Sequence, residues 1–104
     1  MTIEHIREKC TDEFIEVTGH ALLRMQQRKI SYCDIKNAIL TGEIIEVYPE
    51  DYPYPSCLIM GFSVDAKKIH VVVGSSETKI WIVTVYYPNP EEWEENLRRR
   101  KQNG

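Results

Sequence analysis

Hydrophobic positions along this chain change their period once, near residue 42, with helical spacing before it and strand alternation after it. Ile3, Ile6 and Cys10 recur at helical spacing with charges between them. That pattern predicts a short amphipathic helix from Ile3 to about Cys10 or Glu13. Phe14-Ile15-Glu16-Val17 alternates weakly and reads either as a short strand or as an extended connection. Thr18 offers a capping hydroxyl to a second helix over Gly19–Lys29, with Leu22 and Met25 as its core contacts. Ser31-Tyr32-Cys33-Asp34 has the spacing of a capping box and opens a third helix, Cys33–Thr41, with Ile35, Ala38 and Ile39 on one face. Gly42 is the expected stop, in the left-handed conformation that glycine adopts without a Cβ penalty.

Beyond Gly42 the chain reads as strands: Glu43–Tyr48, Cys57–Ser63, Ile69–Gly74 and Lys79–Tyr87. Pro49, Pro53 and Pro55 hold the PEDYPYP segment out of any central ladder. The later linkers are short and polar, so antiparallel hairpins connect the strands. Asn89-Pro90 restarts a helix, with glutamates near its amino end and Arg98, Arg99, Arg100 and Lys101 near its carboxyl end, both placements suiting the helix dipole. The expected fold class is α+β: N-terminal helices, a four-stranded antiparallel β-meander and a C-terminal helix, in one domain over residues 1–104.

Length and composition agree with that plan. The chain has 104 residues, 42% hydrophobic and 28% charged. That suits one globular domain with a modest core. No apolar run approaches the roughly 20 residues of a membrane span, and the charged start lacks a signal-peptide core, so a cytoplasmic protein is expected. Cys10, Cys33 and Cys57 are odd in number and widely spaced, and His5, His20 and His70 are equally scattered. Neither a disulfide framework nor a metal site follows from such spacing, and the expectation is no metal and no cofactor. There is no GxGxxG and no GxxxxGK[ST], which removes the phosphate-cradling glycine loops.

The net charge of −3 argues against a generally basic nucleic-acid coat protein. The total conceals a local reversal, because residues 19 to 36 hold Arg24, Arg28, Lys29 and Lys36 against Asp34 alone. His20, Arg24 and Arg28 recur every four residues and share one helix face, which reads either as an anion-binding stripe or as a solvated surface. His70 lies within an apolar strand, sharing a face with Val72 and Gly74 while Ile69, Val71 and Val73 take the other. On the last strand, strict alternation groups Thr84 and Tyr86 with Ile80 and Ile82, and puts Trp81, Val83 and Val85 opposite; if the Trp81 face packs on helices, Thr84 and Tyr86 look onto the other surface.

Several segments resemble a family of small bacterial single-domain proteins known only as a domain of unknown function. Thr18 to Ser31 is similar to its T-x-H-A-x-x-R-M-x-x-R-x-I-S opening, and Ala38–Glu46 to its A-I-x-x-G-E-I-I-E. Pro55-Ser56-Cys57-Leu58, Ile69–Val72 and Ile82–Pro88 with Trp93 and Arg99-Arg100 resemble its later blocks. Lys29 departs from it, since glycine often follows the second arginine there. The resemblance implies a RelE/BrnT-like toxin fold within a wider group of metal-independent ribonucleases. It also implies RNA as substrate and a zinc-finger-type antitoxin as partner.

Metal-free RNA cleavage needs an acid–base group, a donor to the leaving oxygen and cations around the phosphorane. On that reading the catalytic candidates are His20, Arg24, His70 and Tyr86, and the RNA-binding candidates are Arg28, Lys29, Thr84, Arg98 and Arg99. His20, Arg24 and Arg28 are expected to line one cleft with the open sheet face. The competing readings are a non-catalytic protein-binding module of the same fold, or a small-ligand binder seated between the Pro49–Pro55 loop and the sheet.

Overall fold

Three helices pack on one face of a five-stranded mixed sheet in a computed structural model that describes residues 2–91. The elements in order are α1 (Ile3–Glu8), β1 (Ile15–Val17), α2 (Gly19–Arg28), α3 (Tyr32–Thr41), β2 (Glu43–Tyr48), β3 (Ser56–Phe62), β4 (Lys68–Ser75) and β5 (Ile80–Tyr86). The strands are arranged β1-β5-β4-β3-β2. The sheet therefore corrects the expected four-stranded antiparallel one. β2 to β5 form an antiparallel meander, and β1 adds a fifth strand, parallel to β5, with Ile15 opposite Ile80 and Val17 opposite Ile82. The long excursion through α2, α3 and β2–β4 separates β1 from its partner, as a parallel pairing requires. The C-terminal helix expected after Asn89-Pro90 lies outside the described residues, apart from the Asn89 Oδ1 that accepts the Glu91 N–H at 2.9 Å.

The helices start where their hydroxyls predict. Thr2, Thr18 and Ser31 are the N-caps of α1, α2 and α3, and Ser31 with Asp34 closes both halves of a capping box. Burial opposes ionisation of Asp34, yet backbone N–H groups of Ser31 and Val64 hold its carboxyl below the usual carboxylate range. Ile35, Ala38 and Ile39 of α3 are fully buried against Cys57, Ile59, Val71 and Val73. Leu22, expected in the core, is instead half exposed, and Ala21 takes the buried position on α2. A side chain as small as alanine lets that helix approach β5 closely.

Gly42 does not stop α3 by a left-handed turn. Its backbone is extended, at φ −96° and ψ −173°. The glycine is needed for space, since a Cβ there would stand 2.5 Å from both the Ala38 and Met60 carbonyl oxygens. Gly61 on β3 faces the same turn of helix, where a Cβ would come within 2.7 Å of the Ala38 Cα. The end of α3 is then satisfied from α1, because Arg7 donates from Nη2 to the Gly42 carbonyl at 2.7 Å and from Nε to that of Ile39 at 3.3 Å. These are the carbonyls a helix leaves without partners, and a guanidinium also suits the negative end of its dipole.

The opposite face of the sheet is buried at its centre as well: Leu58, Met60 and His70 are inaccessible to solvent. Burial on both faces explains why β3 reads as an unbroken apolar run rather than an alternating one.

Gly61→Ala is expected to lower the unfolding free energy by about 3 kcal/mol, the cost of overpacking a helix–strand contact. Gly19→Ala, whose Cβ meets nothing within 4 Å at the start of α2, should instead leave stability unchanged or raise it by about 0.5 kcal/mol. Urea denaturation of the two variants checks both signs.

Burial pushes the Cys57 thiol up to about 11 from 9.0. Below pH 9 the thiol is neutral in both folded and unfolded chains. Between pH 9 and 11 only the unfolded chain releases its proton, so stability falls over that window, by about 3 kcal/mol from this group. The alkaline slope of stability should be smaller in Cys57→Ala, as measured by denaturation at several pH values.

Candidate functional site

Thr18 fixes where α2 begins. Its N–H donates to the Ile82 carbonyl at 3.1 Å and its hydroxyl donates to that of Val83 at 3.1 Å, while Oγ1 accepts the Ala21 N–H at 3.0 Å. The helix is thereby fastened to β5 just where β1 ends, and it packs along the rest of that strand. Ala21 and Met25 face the core, and the 3.6-residue period places His20, Arg24 and Arg28 along the helix flank beside that buried face. His20 and Arg28 are exposed and Arg24 is half-buried, its Nη1 donating to Gln27 Oε1 at 2.6 Å.

No acid stands in the first turn of α2. Among the described residues the ion pairs join Lys36 to Asp12 and Lys79 to Glu16, and neither involves α2. The stripe of cations thus lies on a helix whose amide end is itself electropositive. It is narrower than residue counting implies. Lys36 is held by Asp12 at 3.1 Å and stands over the Tyr32 ring, 5.3 Å from its centroid. Lys29 ends the helix in the left-handed conformation, φ 56° and ψ 44°, with its N–H on the Met25 carbonyl. Its exposed side chain follows Arg28 at the same end.

A second group lies on the sheet. His70 and Tyr86 are cross-strand neighbours on β4 and β5, with ring centroids 5.3 Å apart at 67° and His70 Nδ1 3.4 Å from the Tyr86 hydroxyl. His70 is fully buried and Tyr86 half-buried. Thr84, also half-buried, pairs with Val72.

The facing of β5 differs from strict alternation. The ladder pairs Val72 with Thr84 but Val73 with Ile82, so Val83 is an extra residue, a β-bulge. Ile80, Ile82 and, past the bulge, Val85 face the helices. Thr84 and Tyr86 therefore share the face of Trp81 rather than that of Ile80 and Ile82, and Trp81 is turned away from the helices. Arg98 and Arg99 lie outside the described residues.

A groove of about 360 Å³ adjoins these elements, lined by residues 51–54, Ser56, Gly74, Trp81 and Val83, with Thr18 at its border. It meets α2 at the cap, and His20, Arg24 and Arg28 lie on the helix outside its lining. Tyr54 stacks on Trp81 with centroids 4.6 Å apart and planes 11° from parallel, and Tyr52 is 95% exposed. The sequence signal for this groove is the concentration of tyrosine and proline in PEDYPYP; its partner Trp81 lies on a strand 27 residues beyond Tyr54. The Trp81 indole N–H donates to Glu16 Oε2 at 3.0 Å, and Lys79, 2.7 Å from Oε1, holds the Glu16 carboxyl below its ordinary range. Among the described residues no group of three His, Cys, Asp or Glu is placed to hold a metal ion, and no helix is long and apolar enough to cross a membrane.

A model of the family described as Domain of unknown function (DUF4258) matches residues 17–87, from the last residue of β1 to just past β5. The chain belongs to that family. No curated protein and no solved structure matches it. The DUF4258 match thus takes in α2 with its cationic stripe, the His70–Tyr86 pair and the aromatic groove.

Lys29 pays the strain of a left-handed conformation with an ordinary side chain. Lys29→Gly is expected to raise stability by about 1 kcal/mol, whereas Lys29→Ala keeps the strain and gains nothing comparable. Thermal unfolding of both variants measures the difference.

Proposed function

We propose that this DUF4258 protein is a metal-independent ribonuclease of the toxin type, restrained by a zinc-finger-type antitoxin. The observation that carries the reading is the cationic flank of α2. It holds exposed His20, Arg28 and Lys29 and half-buried Arg24 without a carboxylate among their partners in the described residues, and packs beside β5, whose Thr84 and Tyr86 lie on the sheet face turned from the helices.

RNA cleavage without a metal proceeds by attack of the 2′-hydroxyl on the adjacent phosphorus. A base removes the hydroxyl proton, cations carry the charge of the phosphorane, and an acid protonates the departing 5′-oxygen. His20 is an exposed imidazole that acts as base or acid on the RNA. Arg24 matches a phosphate with its planar fork, and Arg28 and Lys29 extend the contact along the backbone. Tyr86 supplies a hydroxyl donor, with Thr84 beside it. Full burial of His70 favours a positioning role for its ring, which orients Tyr86, over direct contact with RNA. Arg98 and Arg99 add phosphate contacts in this proposal. An acidic antitoxin surface would occupy the same cations.

One observation favours a second reading. Leu22 and Leu23, each 50% exposed on α2, present apolar surface of the sort that protein partners cover. On that reading the fold is a non-catalytic binding module.

The purified chain is expected to cleave single-stranded RNA in the presence of a chelator, and its induced expression to arrest growth. His20→Ala should slow cleavage roughly 100- to 10,000-fold with the fold unchanged. Arg24→Ala or Arg28→Ala should weaken RNA binding across all sequences and lower its salt slope by about one. If the parent chain neither cleaves RNA nor arrests growth, yet forms a stable complex with a protein, the binding-module reading replaces this one.

A further inference from the structure

We propose that the groove between the 51–54 loop and β5 is a guanine subsite, in which an unpaired guanine stacks on the aromatic wall and donates to Asp51. RNA as the source of that base rests on the ribonuclease reading; the groove's chemistry does not. Tyr54 and Trp81 form parallel plates, and Tyr54 still exposes 42% of its surface. Tyr52 stands almost wholly in solvent at the rim. Flat apolar faces open to water are what an unpaired base stacks upon, and each such contact contributes about 1–3 kcal/mol. The volume of about 360 Å³ suits a small ligand.

The polar groups of the groove choose among bases. The Thr18 hydroxyl is spent on Val83 and Ala21, and the Trp81 N–H on Glu16. Ser56 Oγ donates to Asp51 Oδ2. Asp51 Oδ1 is then the charged acceptor that the groove offers. A carboxylate prefers a base edge that presents two adjacent donors. Guanine has that edge, in N1–H beside its N2 amino group. The N3–H of uracil lies between two carbonyl oxygens that a carboxylate repels, and the amino groups of cytosine and adenine each adjoin a ring-nitrogen acceptor. The same negative charge keeps phosphates out of the groove. Thr18 is both its border and the cap of α2, so a strand whose base enters the groove continues onto the cationic helix. Gly74 forms part of the lining, and a Cβ there would meet Val83, Pro55 and Trp81 only at 3.7 to 3.9 Å, so a methyl group intrudes on the ligand without disturbing the fold.

The test titrates the intact protein with guanosine and with uridine, following tryptophan fluorescence and calorimetric heat, and then with short RNAs carrying a single guanine. Guanosine should quench the fluorescence and bind at least about tenfold more tightly than uridine. Asp51→Asn should erase that preference, and Tyr54→Ala should weaken guanosine about tenfold. Gly74→Ala should weaken it with unfolding behaviour unchanged. A guanine taken from RNA binds more tightly within the oligonucleotide than as free guanosine, and cleavage falls beside it. Guanosine bound selectively while RNA stays intact sustains the subsite and refutes the ribonuclease. RNA cleaved without regard to guanine, with guanosine unbound, overturns the subsite and leaves the ribonuclease standing. Equal binding of the two nucleosides also overturns it, as does a proline-rich peptide that occupies the groove and is not displaced by guanosine.

Discussion

The close approach of α3 to β3 is the contact on which the rest of this fold depends. Ala38 on the helix lies against two glycines, Gly42 and Gly61, with backbone meeting backbone. Such proximity brings the side chains at either flank into hydrogen-bonding reach. Asn37 donates from Nδ2 to the Phe62 carbonyl at 2.9 Å, Asp34 Oδ1 accepts the Val64 N–H at 2.9 Å, and Thr41 Oγ1 accepts the Phe62 N–H at 3.3 Å. Together with the Arg7 fork on the last helical carbonyls, these bonds tie α1, α3 and the β3–β4 turn into one unit. α1, α2 and α3 lie on one side of the sheet in that arrangement. His70 and Tyr86 are left on the other side by the parity of the strands.

A second device redirects β5. The extra residue at Val83 interrupts the ladder just after β1 ends, at the point where Thr18 binds the Val83 carbonyl. Before the bulge β5 has β1 as a neighbour, and afterwards it has α2. One strand thus changes partner and facing together, and the change gathers Trp81, Thr84 and Tyr86 on one side. Without the bulge Thr84 and Tyr86 would point into the apolar layer beneath the helices, where a hydroxyl needs a partner to offset its desolvation.

Much of this was legible residue by residue where the governing interaction is local. The helix starts follow from Thr18 and Ser31 because a cap is satisfied within three residues. The strands of the meander follow from their β-branched content and short turns, and the cationic stripe along α2 from a four-residue spacing. What escaped the reading is set by distant neighbours. Ile15-Glu16-Val17 alternates too briefly to decide between the strand and the extended connection that it allows, and only pairing with Ile80–Ile82 decides for the strand and gives the sheet its fifth member. A bulge is invisible to a period of two, since Ile80–Tyr86 reads as a regular strand by itself. Gly42 follows a helix, where a left-handed stop is the ordinary inference, and only the position of Met60 reveals that space was the requirement. For the groove, PEDYPYP was legible as a rigid loop with room for a ligand, but nothing local joins Tyr54 to Trp81 or frees one oxygen of Asp51.

The mild acidity of the chain takes on a different meaning once charges have places. A nucleic-acid surface need not be basic throughout; phosphates and bases ask for opposite things. A phosphate seeks cations and amide N–H groups, as the cationic flank of α2 offers, and is repelled by a carboxylate. A base is neutral, stacks on apolar rings and, where its edge donates, favours a carboxylate. A protein that sorts its charges this way sets acids and cations side by side, and summing them to a net of −3 erases the pattern that would carry the recognition. The junction is Thr18, which borders the aromatic groove and caps the cationic helix, with its three hydrogen bonds to Ile82, Val83 and Ala21 fixing the distance between the two. Rigidity at that residue matters more to the proposed recognition than the total charge. A shift of the helix start by one residue would turn His20, Arg24 and Arg28 by about 100° around the helix axis and away from any strand that enters the groove.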